Sequence, residues 1–175
     1  IHLSLALFIL CLTFWFILDI FKVKKFHKKT SNIFLLFVLL LIVVQIILGA
    51  FLSGLDGGLI YNSWPDMNGH LFPNDVQSED IVNFQLFDNP SIVQFFHRST
   101  AYLLLFFIII MNYMYIKKKE DIKNIVFFDI TILLQIFLGI ITLISGVEIV
   151  YASLHQLGSI LVLSSYILIL YKNSN

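Results

Sequence analysis

Five apolar runs of roughly 20 residues or more organise the chain, at about 1–20, 32–53, 91–116, 124–145 and 149–171. An α-helix rises ~1.5 Å per residue, so each run is long enough to cross a hydrocarbon layer ~30 Å thick. Hydrophobic residues make up 59% of the chain and charged residues 13%, far from the balance of a soluble domain. The expected fold is therefore an all-α integral membrane protein with five transmembrane helices.

The charges are segregated. Nine of the ten lysines lie in 22–29 and 117–123, and the tenth is Lys172. Segment 54–90 holds Asp56, Asp66, Asp75, Glu79, Asp80 and Asp88 with no lysine or arginine. The positive-inside rule puts 21–31, 117–123 and the C-terminus in the cytoplasm and 54–90 outside. The single cysteine, Cys11, rules out an intramolecular disulfide and a thiolate metal cluster. The opening Ile-His-Leu lacks a basic leader and a cleavage site, so it reads as the head of a helix in a longer protein, not a signal peptide.

In this orientation His97 and His155 lie at a common depth, each about six residues, or ~9 Å, below the outer end of its helix. His2 begins the first helix at the same face. His27 and His70 fall in loops and read as solvated. Gln45-Ile-Ile-Leu-Gly49 recurs as Gln135-Ile-Phe-Leu-Gly139, each late in an outward helix and followed by an inward helix with a histidine. Residues 32–175 thus read as two copies of one hairpin, a four-helix bundle about a pseudo-two-fold axis with the site between its halves. Residues 1–20 read as the last helix of a preceding bundle, 21–31 as a basic linker, and 54–90 as a long outer loop. Its Tyr61, Trp64, Met67 and Phe72 suggest that this loop packs on the membrane surface.

Two imidazoles at one depth on facing helices can supply both axial ligands of a haem iron. A porphyrin needs room, which Ala101, Ala152, Gly158 and Ser159 offer beside the ligands and Gly49, Ala50 and Gly139 on the partner helices. Arg98, the only arginine, could pair with a haem propionate. The plainer alternative is that each histidine bonds a neighbouring helix and the small residues serve close packing. Gln45, Gln94, Gln135 and Gln156 read as interhelical glue before cofactor contacts, and Asp19 and Asp129 carry no assigned role.

Around these residues the sequence resembles the haem A synthase family. The resemblance runs through Gln45–Ala50, Ser53–Gly58, Tyr61–Gly69, Val93–Tyr102, Gln135–Leu143 and Leu154–Gln156, covering nearly the whole chain. It implies two fused four-helix bundles, of which this chain would hold the last helix of the first and all of the second. It implies that His97 and His155 ligate a haem b, that His2 belongs to the haem O site, and that a methyl group of haem O is oxidised to the formyl of haem A with oxygen from water. Haem O synthase, cytochrome oxidase assembly factors, an electron acceptor or donor and membrane lipid are the implied partners; nothing points to nucleic acid. The remaining first-bundle histidine and a functional glutamate of the family are missing, so the chain alone is expected to be inactive. The outer loop has no cysteine pair, as in the alphaproteobacterial and mitochondrial branch. The expected location is a bacterial inner membrane, with the mitochondrial inner membrane as the alternative. A transmembrane b-type cytochrome without substrate chemistry is the competing reading, and a haem-free transporter or assembly factor is a third.

Overall fold

The computed structural model describes residues 2–27, 29–76, 87–119 and 122–174, with side chains from Leu5 onward. Among these, five α-helices carry the fold: α1 (His2–Ile20), α2 (Asn32–Gly54), α3 (Pro90–Lys118), α4 (Lys123–Ile144) and α5 (Ile149–Asn173). A 3-10 turn, Gly57–Leu59, follows α2, and there is no strand among the described residues. Helices α2 to α5 are long and apolar enough to cross a membrane, and α1 is apolar over Leu5–Ile20, the part of it whose side chains are described. Lipid offers the backbone no hydrogen-bond partner, so such runs close their own bonds as helices. The side chain of His2, Lys28, and the loop stretch 77–86 with Glu79 and Asp80 lie outside the described residues.

The helix ends follow local chemistry. Ser31 caps α2 through its hydroxyl, which accepts from the Phe34 amide. Asn89 caps α3 by accepting from the amides of Ser91 (3.0 Å) and Ile92 (3.2 Å), with Pro90 in the first turn, where a missing N–H costs nothing. Lys117 and Lys118 complement the carbonyl end of α3. Helix α4 closes in a Schellman motif: Gly146, at φ +71°, donates to Leu143 O, and Val147 donates to Thr142 O. Four residues, 145–148, then suffice to start α5.

Helix α2 packs chiefly on α3, and α4 on α5; the two hairpins meet through α2 against α5 and α3 against α4. Helices α3 and α5 therefore face each other across a diagonal of the bundle. Helix α1 lies outside it against α5, where Trp15 meets Tyr171 edge-on at 5.2 Å. The linker is tied to the end of α5, with Thr30 N donating to Asn173 Oδ1 (2.7 Å) and Phe26 N to Lys172 O (2.8 Å).

Packing differs between the two ends of the bundle. Toward the lysine-bearing loops the interior is closed by Leu35, Ile108, Met111, Phe128, Leu163 and Tyr166, all 2% exposed or less. Tyr166 Oη donates to Leu35 O (2.7 Å), and the hydroxyls of Thr131 and Ser165 pair at 3.0 Å, linking helices where lipid supplies little hydrophobic drive. Toward the outer loop this core stops. Helix α4 has no buried residue beyond Ile132, α3 has none between Gln94 and Leu104, and α5 has only Gly158 before Val162.

Candidate functional site

His97 and His155 stand at the level where the core stops, on the diagonal helices α3 and α5 and at similar distances from their starts at Pro90 and Ile149. Both rings are half-buried, and each lies within electrostatic reach of the other.

Each ring sits in a notch cut by a glycine of its own hairpin. A Cβ on Gly49 of α2 would stand 3.2 Å from His97 Cε1, and one on Gly139 of α4 would stand 2.9 Å from His155 Cε1. The repeated Gln-x-x-x-Gly segments thus do the same job twice: the glycine admits the ring, and the glutamine one turn earlier addresses the histidine. Gln45 Nε2 lies 3.3 Å from His97 Nε2, while Gln135 Nε2 donates to the His155 carbonyl at 2.7 Å. His155 Nδ1 lies 3.1 Å from Gln135 O, which can only accept, so the ring proton is on Nδ1 and Nε2 keeps its lone pair. His97 Nδ1 is buried without a hydrogen-bond partner, as are Gln45 Oε1 and Gln135 Oε1.

Other small residues have different uses. A Cβ on Gly158 would overlap Gln135 Oε1, so this glycine seats the glutamine between α4 and α5. Gln94 is 1% exposed and donates to Tyr61 O (3.0 Å), which places it under the loop. Gln156 is exposed. Asp129 accepts from Asn112 Nδ2 at 3.1 Å and Asp19 from Tyr171 Oη at 3.1 Å, both near the lysine end and away from the histidines. His27 and His70 are exposed.

Arg98 turns its guanidinium toward the loop. Nη1 donates to the carbonyls of Ser63 (3.0 Å) and Asp66 (2.8 Å), and Nη2 to that of Tyr61 (2.8 Å); Nε is buried without a partner. The residue pairing Arg98 with loop carbonyls was not legible from composition, because those carbonyls belong to a fold of the loop that no short motif announces. Ser63 Oγ shapes that fold by donating to the Asp66 carboxylate (2.7 Å) and accepting from Asn68 N (2.7 Å). Tyr61 Oη reaches Asn74 Oδ1 (2.9 Å) and Asp75 Oδ1 (2.5 Å), and Asp75 Oδ2 accepts from Ser91 Oγ (2.6 Å) at the head of α3. Tyr61 and Met67 are buried at 4% and 2%, while Trp64 is 46% exposed. The loop also crosses to the second hairpin, where Asn62 Nδ2 donates to Leu143 O at 2.9 Å. It therefore closes the outer end above both histidines.

Among the described residues no three His, Cys, Asp or Glu side chains converge on one metal position. What the site offers is a pair of imidazoles, two glycine notches, orphaned polar atoms and an arginine under the loop, groups that could hold a flat iron cofactor.

The chain is 77% identical over 175 residues to a Heme A synthase of Pelagibacter ubique (strain HTCC1062), matching all of this chain and 52% of that protein. It is 37% identical over 170 residues to a Heme A synthase of Rickettsia bellii (strain OSU 85-389), covering 93% and 50%. It is 34% identical over 169 residues to that of Wolbachia pipientis wMel, covering 94% and 47%. The chain thus spans about half the length of these curated relatives. No solved structure matches it. Residues 1–167 match the family described as COX15-CtaA, cytochrome oxidase assembly protein, and the chain belongs to that family, the haem A synthases.

Proposed function

We propose that this chain carries the haem-b-binding bundle of a haem A synthase, which oxidises a methyl group of haem O to the formyl group of haem A. The observation that supports it best is the interruption of the packed core at the level of His97 and His155, each ring set in a glycine notch. His97 and His155 would hold the iron of haem b, and Arg98, whose terminal nitrogens keep the loop in place, would have its Nε left to pair with a propionate. Haem b, when bound, supplies one-electron transfer for an oxidation whose oxygen comes from water. Gly49 and Gly139 set the ring orientations, and the loop 55–76 limits water at the outer end. The lysine-bearing loops face the cytoplasm and the site lies in the outer leaflet of a bacterial inner membrane. The 32–175 bundle forms one unit; His2 and the haem O site belong to a neighbouring one, together with the residues that complete the reaction. Haem O synthase and cytochrome oxidase assembly factors are the natural partners for passing on a membrane-bound haem.

A bilayer-crossing b-type cytochrome would need a second haem at the opposite depth. The lysine half is instead filled with close-packed side chains such as Phe128 and Tyr166, both fully buried. The test is an optical spectrum, oxidised and dithionite-reduced, of the purified protein beside His97→Ala and His155→Ala. A low-spin b-type signal that each variant loses or turns high-spin is expected, with haem A extractable from cells expressing the whole gene. A well-folded protein without haem sinks the proposal.

A further inference from the structure

We infer that the outer loop is a visor carried by the first hairpin and latched to the second by Asn62 and Val147, and that this latch opens when the cofactor enters or leaves the bundle. This rests on the cofactor reading above.

The loop is built onto the hairpin of α2 and α3. Arg98 and Gln94 of α3 both donate to Tyr61 O (2.8 and 3.0 Å), Arg98 also holds the Ser63 and Asp66 carbonyls, and Ser91 at the head of α3 donates to Asp75 (2.6 Å). Phe72 meets the Phe95 ring edge-on at 4.9 Å, and the 3-10 turn packs on α2 and α3. A Cβ on Gly57 would stand 3.2 Å from Pro90 O, so loop and helix backbones touch there. The segment 57–75 therefore moves with α3.

Its ties to the second hairpin are slighter. Asn62 Nδ2 donates to Leu143 O (2.9 Å), in the last turn of α4, and to Gly58 O (2.8 Å). Beside it, a Cβ on Gly58 would stand 2.8 Å from Val147 Cγ2, so the turn between α4 and α5 presses a side chain against the loop backbone. Val147 does so from φ +61°, a left-handed conformation that a β-branched residue adopts only under constraint. The strain thus sits where the loop meets the second hairpin.

The seam between the hairpins is also where the bundle parts most easily. Each hairpin packs more closely within itself than on the other. The buried cluster joining all four helices lies toward the lysine end and can serve as the hinge, whereas α4 beyond Ile132 and α5 before Val162 bury only Gly158. A haem carries two ionised propionates that resist passage through lipid tails, so its way in is the outer end, beneath the loop.

The test follows haem leaving the protein as its gene encodes it, purified with haem and mixed with excess apomyoglobin. Asn62→Asp keeps the size of the side chain but sets a carboxylate, which cannot donate, against two carbonyls at the negative end of α4. Val147→Gly suits the left-handed backbone and removes the contact. Each should release haem roughly three- to tenfold faster, the scale of one lost hydrogen bond, with the spectrum of the bound haem unchanged. The converse variant closes the latch covalently. Gly58→Cys with Val147→Cys, every other cysteine being replaced by serine, brings two β-carbons into the ~3.5–4.5 Å range of a disulfide. Oxidised after loading, it should release haem at least about tenfold more slowly, and a phosphine reductant should restore the rate. Failure of the two thiols to join, or unchanged release from the oxidised form or from either single variant, overturns the inference. A preparation with no low-spin haem removes the cofactor reading and this inference with it.

Discussion

At the scale of single residues, the two glycine notches divide space from chemistry. Alanine at Gly139 would bring a methyl group to 2.9 Å from His155 Cε1, closer than real Cβ atoms approach, so the ring or the helix must give. Alanine at Gly49 needs only a few tenths of an ångström from His97. Gly139→Ala should therefore lower haem content more than Gly49→Ala, by about threefold or more for a cost on the order of 1 kcal/mol, as overpacking typically brings. Haem per polypeptide after identical purification measures it, and equal losses would show that the rings are not seated by these glycines. The sequence displayed both glycines and their repeat. It could not show that they touch the histidines themselves, because that depends on the rotation of α2 against α3 and of α4 against α5. Gly158 makes the same point from the other side: its spacing from His155 suggested room for a porphyrin, and it seats Gln135 instead.

At the scale of elements, the outer loop is fastened by side chains to backbone and by one carboxylate. Arg98 spends both terminal nitrogens on three loop carbonyls, and hydrogen bonds to a charged donor contribute ~1.5–3 kcal/mol each before discounting for its half-exposed position. Arg98→Lys keeps the charge but cannot span three acceptors. It should release the 61–66 turn, raising its amide exchange by about tenfold or more while α4 near Phe128 stays protected. Unchanged exchange in the turn would remove the anchoring role. Asp75 provides a pH test of the same loop. Burial opposes its charge, but hydrogen bonds from Ser91 and Tyr61 outweigh burial and hold its carboxyl below the ordinary 3.8. A depressed carboxylate stabilises the fold above its unfolded value, and the contribution is lost as pH falls through the folded one. Protection of the loop should therefore be flat from about pH 5 to 8 and fall only below about pH 4, and Asp75→Asn should abolish that step. The helices that carry this loop were legible from hydrophobic run length, with ends placed within two residues or so; the path of the loop was not, since Ser63, Asn62 and Arg98 act through backbone carbonyls that any residue possesses.

At the scale of the whole molecule, the bundle separates a filled half from an open one, and mutational effects should divide along that line. In the lysine half, Phe128 is fully buried, packs against Tyr166 with ring centroids 5.1 Å apart, and belongs to the cluster joining α2, α3, α4 and α5. Lipid weakens the transfer contribution there, so truncation costs mainly lost packing and an unfilled cavity. Phe128→Ala should destabilise the protein by about 3 kcal/mol or slightly more, lowering its thermal midpoint in detergent whether haem is present or removed. In the outer half, substitutions at the notches should lower haem content with a smaller effect on the haem-free midpoint, because α4 has no buried residue beyond Ile132 and α5 only Gly158 before Val162. The two kinds of variant, each melted with and without haem, give a crossed comparison. The filled half should shift both midpoints together, and the notch variants should shrink only the difference between them, since a ligand stabilises in proportion to its binding. The charge segregation and the shared histidine depth already pointed to two unlike faces of the molecule. That one of them is closed by buried side chains while α4 and α5 carry almost none toward the other is seen only in the packing. Parallel shifts from both kinds of variant would mean that the outer half holds itself together without a bound group.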